Sequence, residues 1–357
     1  MAEITLQNIA HSYNPQAADK TYALNPFSLT WVDGGRYAIL GPSGCGKTTM
    51  LNIMSGIVQP SEGRLMFDGQ DVTSLSTSER NIAQVFQFPV IYGTMTVEQN
   101  LAFPLVCRNF ERPAIDAKVQ EVAEALNLEA LLKKSASKLT ADQKQLISLG
   151  RGLVRDDVAA VLMDEPLTVI DPDLKFRLRR QLKEINQKYR STLIYVTHDQ
   201  NEAMTFAENI IVMDAGNIVQ VGTPSELFER PKTTFVGYFI GAPAMNFFDC
   251  KAVGKSSVSF GDTTINTTTD LSNVEAASLK LGIRSEYIGI VDAGHENSIA
   301  AQVQRVEDLG NYKLVSSTFG EFTIKVKAER DMEIPADTIN LQFPADNCCV
   351  YANDELV

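Results

Sequence analysis

The sequence predicts an α/β domain built on a largely parallel sheet, followed by a smaller, OB-like β-barrel. Three observations carry this expectation. From residue 1 to about 235, short apolar runs alternate with longer amphipathic stretches, the pattern of strands whose crossover helices cover both faces of a sheet. Inside that region, Gly41-Pro42-Ser43-Gly44-Cys45-Gly46-Lys47-Thr48 satisfies G-x-x-x-x-G-K-[ST] at every position and stands between a strand and a helix, where such a loop must stand. From about 247 onward Ser, Thr and Val dominate, and turn signals recur at Gly261-Asp262, Gly294, Gly310-Asn311 and Gly320, which is the spacing of short strands.

The elements follow in order. Residues 35–40 are expected to enter the phosphate loop as a strand, with a helix from Lys47. Residues 158–163 form an apolar run that ends in acids, and 173–189 read as an amphipathic helix. Residues 192–197 read as a buried strand, 202–208 as helical and 210–213 as strand-like. Prolines, glycines and aromatics mix over 231–246, which suits a packed connector. The expected organisation is a nucleotide-binding domain over 1–235, a connector over 236–246 and a β-barrel over 247–357.

Composition narrows the classes. At 357 residues the chain exceeds what one core usually holds. A net charge of −12, from 32 Lys and Arg against 44 Asp and Glu, argues against a sequence-independent grip on nucleic acid. Five scattered cysteines lack a Cys-x-x-Cys spacing and suit a reducing cytosol. The three histidines form no metal-spaced cluster. The N-terminus lacks the basic start and apolar run of a signal peptide, and no apolar stretch nears the ~18 residues of a spanning helix. A soluble protein is expected, with any membrane role exerted through a partner.

The chemistry points to a nucleoside triphosphate. Glycines let the backbone of the loop approach closely, so that its N–H groups and the helix N-terminus can cradle phosphates. Gly41, Pro42, Ser43, Gly44, Cys45, Gly46, Lys47, Thr48 and the adjoining Thr49 are the candidate phosphate-binding residues. Lys47 would neutralise the β/γ charge, and the Thr48 hydroxyl would ligate Mg²⁺. Downstream, Val161-Leu162-Met163-Asp164-Glu165-Pro166 delivers two acids to a strand end. Asp164 would hold Mg²⁺ through water, and Glu165 would act as general base on the attacking water. His198, following the strand over 192–197, is placed to contact the γ-phosphate.

Together these residues resemble the ATP-binding subunit of an ABC transporter, with motifs in family order: Tyr13, Gly41–Thr48, Gln87, Leu139–Gln143, Asp164-Glu165, Asp171 and His198. The resemblance covers the whole chain and implies a P-loop NTPase domain of the ABC type, with ATP and Mg²⁺ as cofactors. By it, Tyr13, ahead of the first strand pair, would stack on adenine. Gln87, in Val85-Phe86-Gln87-Phe88-Pro89, would touch Mg²⁺ and sense membrane subunits, and the loop 167–171 would run along a partner's site. Leu281-Gly282-Ile283-Arg284-Ser285-Glu286-Tyr287-Ile288 resembles the Leu-Gly-x-Arg-Pro-Glu segment of the barrel appended to importer ATPases for sugars and polyols, with Ser285 in place of proline. The segment 85–105 would receive coupling helices of two permeases, with Phe86, Phe88, Val90, Ile91 and Tyr92 as an apolar groove. The runs 81–92 and 139–144 are similar to one of the two ATPase subunits of bacterial glycerol importers.

One motif departs from the family. Leu139-Thr140-Ala141-Asp142-Gln143 stands where Leu-Ser-Gly-Gly-Gln is usual. In the family arrangement each ATP lies between one chain's phosphate loop and the other chain's signature helix. Thr140 keeps a hydroxyl for the phosphate, Ala141 adds a Cβ, and Asp142 adds a negative charge. Two like charges about 4 Å apart cost on the order of 4 kcal/mol at an effective dielectric of about 20. Gly150 and Gly152 are expected to loosen the following helix by up to about 1 kcal/mol each relative to alanine. The resemblance therefore implies an importer ATPase for a small polyol or sugar, glycerol first. It would lie at the cytoplasmic face of the inner membrane and pair with a second ATPase subunit of intact signature, two membrane permeases and, indirectly, a periplasmic solute-binding protein. The alternatives are a soluble ABC ATPase of repair or translation, an importer ATPase for another solute class, and a non-hydrolysing regulator.

Overall fold

The computed structural model describes residues 2–16, 20–274 and 278–357. Two compact units are present, Met1–Pro224 and Ser225–Val357.

In the first unit a six-stranded sheet runs in the order Asn217–Gly222, Asn209–Asp214, Arg36–Leu40, Leu193–Thr197, Val161–Asp164, Ala83–Val85. Its pairings are parallel except between the two outermost strands at one edge, Asn209–Asp214 and Asn217–Gly222. Side-chain alternation divides the core in two. Leu162, Ile194, Val196 and Ile39 pack with Met50, Leu51 and Trp31. Val161, Met163, Leu193 and Tyr195 pack with Leu178, Leu182 and Phe206. Strands 161–164 and 193–197 are consequently buried along their whole length, as a sheet covered on both faces requires. A second, antiparallel sheet places Ile4–His11 between Leu24–Trp31 and Glu62–Phe67.

The helices of this unit are α1 (Lys47–Ser55), α2 (Val97–Val106), α3 (Arg112–Ala125), α4 (Ala141–Leu153), α5 (Pro172–Tyr189) and α6 (Gln200–Phe206). Pro172 opens α5 at a position where its missing N–H costs nothing. The sequence pattern located α1, α5 and α6 to within a few residues, and gave no bounds for α2, α3 and α4. Packing adds a second reason for the glycines of α4. A Cβ on Gly150 would lie 2.6 Å from Leu101 Cδ2 and 3.1 Å from Leu126 Cδ1, and one on Gly152 would lie 2.8 Å from Val85 Cγ2. The propensity that alanine would add at these positions is thus set against overpacking. The two glycines let α4 pack closely against α2 and the edge of the sheet.

The second unit begins with most of α7 (Pro224–Glu229), followed by α8 (Thr234–Phe239), and continues as two antiparallel sheets that form a barrel-like fold. Gly261, Gly310 and Gly320 sit in the tight connections between paired strands, each with positive φ. The core stacks Phe248 on Phe260, with Phe322 and Phe343 edge-on to Phe248. Arg284 is buried, and its guanidinium donates to the carbonyls of Phe228, Gly237 and Ile240, tying α7 and α8 to the barrel. Ser285 is fully buried and its carbonyl accepts the Lys327 N–H at 2.9 Å. The five cysteines are unpaired. Among the described residues no helix is long and apolar enough to cross a membrane.

Candidate functional site

The central strand Arg36–Leu40 ends at Gly41, and there the chain turns sharply into α1. A Cβ on Gly41 would lie 2.3 Å from the Met213 carbonyl oxygen of the adjacent strand, so only glycine fits. Gly44 and Gly46 adopt φ of 81° and 105°. Gly46 is the N-cap of α1 and supplies no side-chain cap. The first N–H groups of the helix are thereby left for an anion, with the positive end of the helix dipole behind them.

Lys47 is buried, and its ammonium donates to the carbonyls of Gly41 at 2.8 Å and Pro42 at 2.9 Å. It is folded back across the loop, holding it closed. Beside it a cleft of about 530 Å³ is lined by Tyr13, Ser43, Gly44, Gly46, Lys47, Thr48, Thr49, Gln87, Glu165, Thr168 and His198, with Ala23 at one wall. Gly41, Pro42, Cys45 and Asp164 do not line the cleft; the Cys45 thiol is buried, which pushes its pKa up.

Tyr13 stands at the cleft rim, 61% exposed, with its hydroxyl 3.0 Å from Thr49 Oγ1 and its ring edge-on to His11. It follows strand Ile4–His11 and so lies between the paired strands, not ahead of them. An exposed ring face anchored at one end suits stacking on a planar base.

The acids arrive from the sheet. Asp164 ends its strand, and its Oδ1 accepts from the Thr48 hydroxyl at 3.4 Å. Burial raises the Asp164 carboxyl above its ordinary value, partly offset by the Thr48 hydrogen bond and reinforced by the charge of Glu165. A buried carboxylate of this kind, beside a hydroxyl at the mouth of a phosphate loop, fits a divalent cation that would restore its charged form. Glu165 has φ of 44°, a left-handed conformation unusual for a side chain of this size, which turns its carboxylate into the cleft. There Oε1 meets His198 Nδ1 at 3.0 Å, and Oε2 accepts from Gln87 Nε2 at 3.2 Å and Thr168 Oγ1 at 3.4 Å. Gln87, Glu165 and His198, far apart in sequence, thus form one hydrogen-bonded group. Thr168 is the member that motif reading did not single out; its position three residues beyond Glu165 is the one signal.

Thr140–Gln143 lies outside this cleft, at the N-terminus of α4. Thr140 is the N-cap. Its Oγ1 accepts from the Gln143 N–H and the Gln143 side chain accepts from the Thr140 N–H, a complete capping box. One lone pair of the Thr140 oxygen thus serves its own helix, and the hydroxyl proton is left to donate. The N–H groups of Ala141 and Asp142 have no partner among the described residues.

A family model described as ABC transporter matches residues 24–168, the segment that contains the loop and both acids. The trehalose import ATP-binding protein SugC of Mycobacterium tuberculosis is 39% identical over 331 residues, covering 89% of this chain and 82% of that protein. The chain belongs to the ABC transporter family. The sn-glycerol-3-phosphate import ATP-binding protein UgpC of Salmonella typhimurium is 35% identical over 347 residues, 96% of each chain. Among solved structures, cbiO1 of Clostridium perfringens, part of an ABC transporter complex, superposes with a TM-score of 0.58 at 26% identity, covering 64% of this chain and 90% of that one. A dimeric post-hydrolysis ATP-binding cassette bound to ADP and Pi gives 0.56 at 26% identity, covering 62% and 98%. This ABC protein is an importer ATPase, and the soluble repair or translation reading is not favoured.

Proposed function

We propose that this importer ATPase energises uptake of a small polyol or sugar, glycerol first among them, and that it pairs with a second, different ATPase subunit on two membrane permeases fed by a solute-binding protein. The observation that carries the pairing is an asymmetry. The cleft on this chain gathers Lys47, Thr48, Gln87, Glu165 and His198, with Asp164 bonded to Thr48 behind it, whereas α4 offers a partner's ATP an altered N-terminus. The names of the trehalose and sn-glycerol-3-phosphate import relatives support the solute class, and the resemblance of 81–92 and 139–144 to a glycerol importer subunit supports glycerol.

On this reading ATP lies with adenine on Tyr13 and its phosphates along Ser43–Thr49. Mg²⁺, held by Thr48 and Gln87 and through water by Asp164, would neutralise phosphate charge. Lys47 leaves its two carbonyls for the phosphate oxygens, exchanging neutral acceptors for charged ones. Glu165 takes a proton from the attacking water, and His198 fixes the carboxylate and reaches the γ-phosphate. The surface around 85–105 supports permease docking. Phe86, Phe88, Val90 and Tyr92 are exposed, and a cleft of about 240 Å³ opens between Phe86, Val90, Pro104 and Arg151. Ile91 does not belong to that groove, because it packs inward against the core. This docking would hold the protein peripherally at the cytoplasmic face of the inner membrane.

The test is Glu165→Gln in the assembled transporter, set against the equivalent change in the second ATPase. Substrate-stimulated ATP turnover should collapse with the first and persist with the second. Equal losses overturn the one-productive-site reading. Uptake of labelled glycerol, sn-glycerol-3-phosphate and a disaccharide into proteoliposomes decides the solute.

A further inference from the structure

His198 meets Glu165 through Nδ1, yet its own side chain is 55% exposed. What fixes it is its backbone, and the backbone is gripped from behind by a buried carboxylate. Glu202 on α6 is 5% exposed. Its Oε2 accepts from the Thr197 hydroxyl at 2.9 Å and the Tyr195 hydroxyl at 2.8 Å. The Thr197 Oγ1 in turn accepts from the Asp199 N–H at 3.0 Å. The residues on either side of His198 are therefore joined by one chain of hydrogen bonds, from the Asp199 amide through the Thr197 hydroxyl to the Glu202 carboxylate. Asp199 closes the loop from the other direction, capping α6 through Oδ1 on the N–H groups of Asn201 and Glu202.

The other oxygen of Glu202 faces α5. Lys175 Nζ lies 3.3 Å away and an Arg179 nitrogen 3.9 Å away. α5 begins immediately after the loop 167–171, whose Thr168 also bonds Glu165. A buried carboxylate uncompensated by charge is costly, and these two cations supply the compensation from the helix that directly follows the loop carrying Thr168. We infer that Glu202 is a positioning residue for ATP hydrolysis: it orients His198 through Thr197 and ties that orientation to α5. The inference rests on the reading that His198 serves the hydrolytic site.

The two hydroxyls on Glu202 separate positioning from mere support. Both bond the same oxygen, but only Thr197 continues to the backbone around His198. In the assembled transporter, Thr197→Val and Glu202→Ala should lower kcat by between about tenfold and a hundredfold, the cost of sub-ångström misplacement at a reacting centre, with KM for ATP unchanged. Tyr195→Phe should lower the melting temperature and leave kcat intact. In a His198→Ala background Thr197→Val should cause no further loss of kcat. Equal loss of kcat with Tyr195→Phe, a rise in KM in place of a fall in kcat, or a full additional loss in the His198→Ala background overturns the inference. If His198→Ala lowers kcat and Thr197→Val does not, the inference fails while the reading of the site stands. If His198→Ala itself leaves kcat unchanged, both fall.

Discussion

Restoring the usual signature should make the protein less stable and its partner's site faster. The perturbation is Thr140→Ser, Ala141→Gly and Asp142→Gly together. Thr140→Ser keeps the capping box, since serine caps as well as threonine. Ala141 and Asp142 are the first two residues of α4. Ala141→Gly loses up to about 1 kcal/mol of helix propensity. Asp142→Gly loses about 0.3–1 kcal/mol of carboxylate–dipole attraction at the helix N-terminus, and a few tenths of propensity besides. The sum, about 1–2 kcal/mol, lowers the melting temperature by about 2–8 °C for a unit of this size. The same change removes the Asp142 charge from the N-terminus of α4. Recovering about 1.4 kcal/mol, one third of the repulsion between two charges 4 Å apart at a dielectric of about 20, raises turnover about tenfold. The assay combines calorimetry of the full chain with ATP turnover of the assembled complex, in which this chain also carries Glu165→Gln so that only the partner's site is read. An unchanged or higher melting temperature refutes the account of α4. Unchanged turnover refutes the claim that these two side chains limit the partner's site.

Three further outcomes follow from the geometry. Gly150→Ala should destabilise the protein by about 1–2 kcal/mol in urea unfolding, because overpacking against Leu101 and Leu126 outweighs the gain in propensity; added stability would mean that α4 can move away from α2. Asp164→Asn should raise the melting temperature of the nucleotide-free protein at pH 7 while abolishing turnover. Burial raises the Asp164 carboxyl in the folded state, so the fold holds that proton more tightly than the unfolded chain, and stability falls as pH rises through the raised value. The gain should therefore shrink toward about pH 4, and a lower melting temperature at pH 7 contradicts it. Maleimide at pH 8 should label exposed Cys107 and spare Cys250 and Cys348, whose thiols are pushed by burial up to about 11 and about 12; with thiolate fractions near one in a thousand or less, rapid labelling of either means the second unit opens readily.

Much of the first unit was legible because each level of the sequence agreed with the next. The loop, its helix and the acid-ended strand are local patterns, and locality is what a sequence displays. Gly261, Gly310 and Gly320 were legible for the same reason, since a positive-φ turn declares its residue. What was not legible depends on pairs distant in sequence. Gly150 is fixed by Leu101 and Leu126, which nothing around 150 reveals. Arg284 spends its hydrogen bonds on carbonyls of 228, 237 and 240, and carbonyls have no sequence signature. Glu202 meets Lys175 and Arg179 only because the fold packs α5 beside α6, which the sequence around 202 does not reveal.

The segment 139–143 shows how a residue can be read correctly as chemistry and incompletely as structure. S/T-x-x-Q is a capping pattern as well as a ligand pattern, and in this chain Thr140 and Gln143 satisfy each other. The departures at 141 and 142 then have a local benefit: alanine and aspartate are better first-turn residues than two glycines. A helix N-terminus can direct its field at its own carboxylate or at a neighbour's phosphate, and the dipole that attracts Asp142 is the one a partner's ATP would use. Two glycines leave that terminus for the neighbour at the helix's expense, while Ala141 and Asp142 spend it at home. The stability of α4 and the turnover at a partner's site should therefore move in opposite directions when residues 141 and 142 become glycine, and parallel changes would break this link between the two.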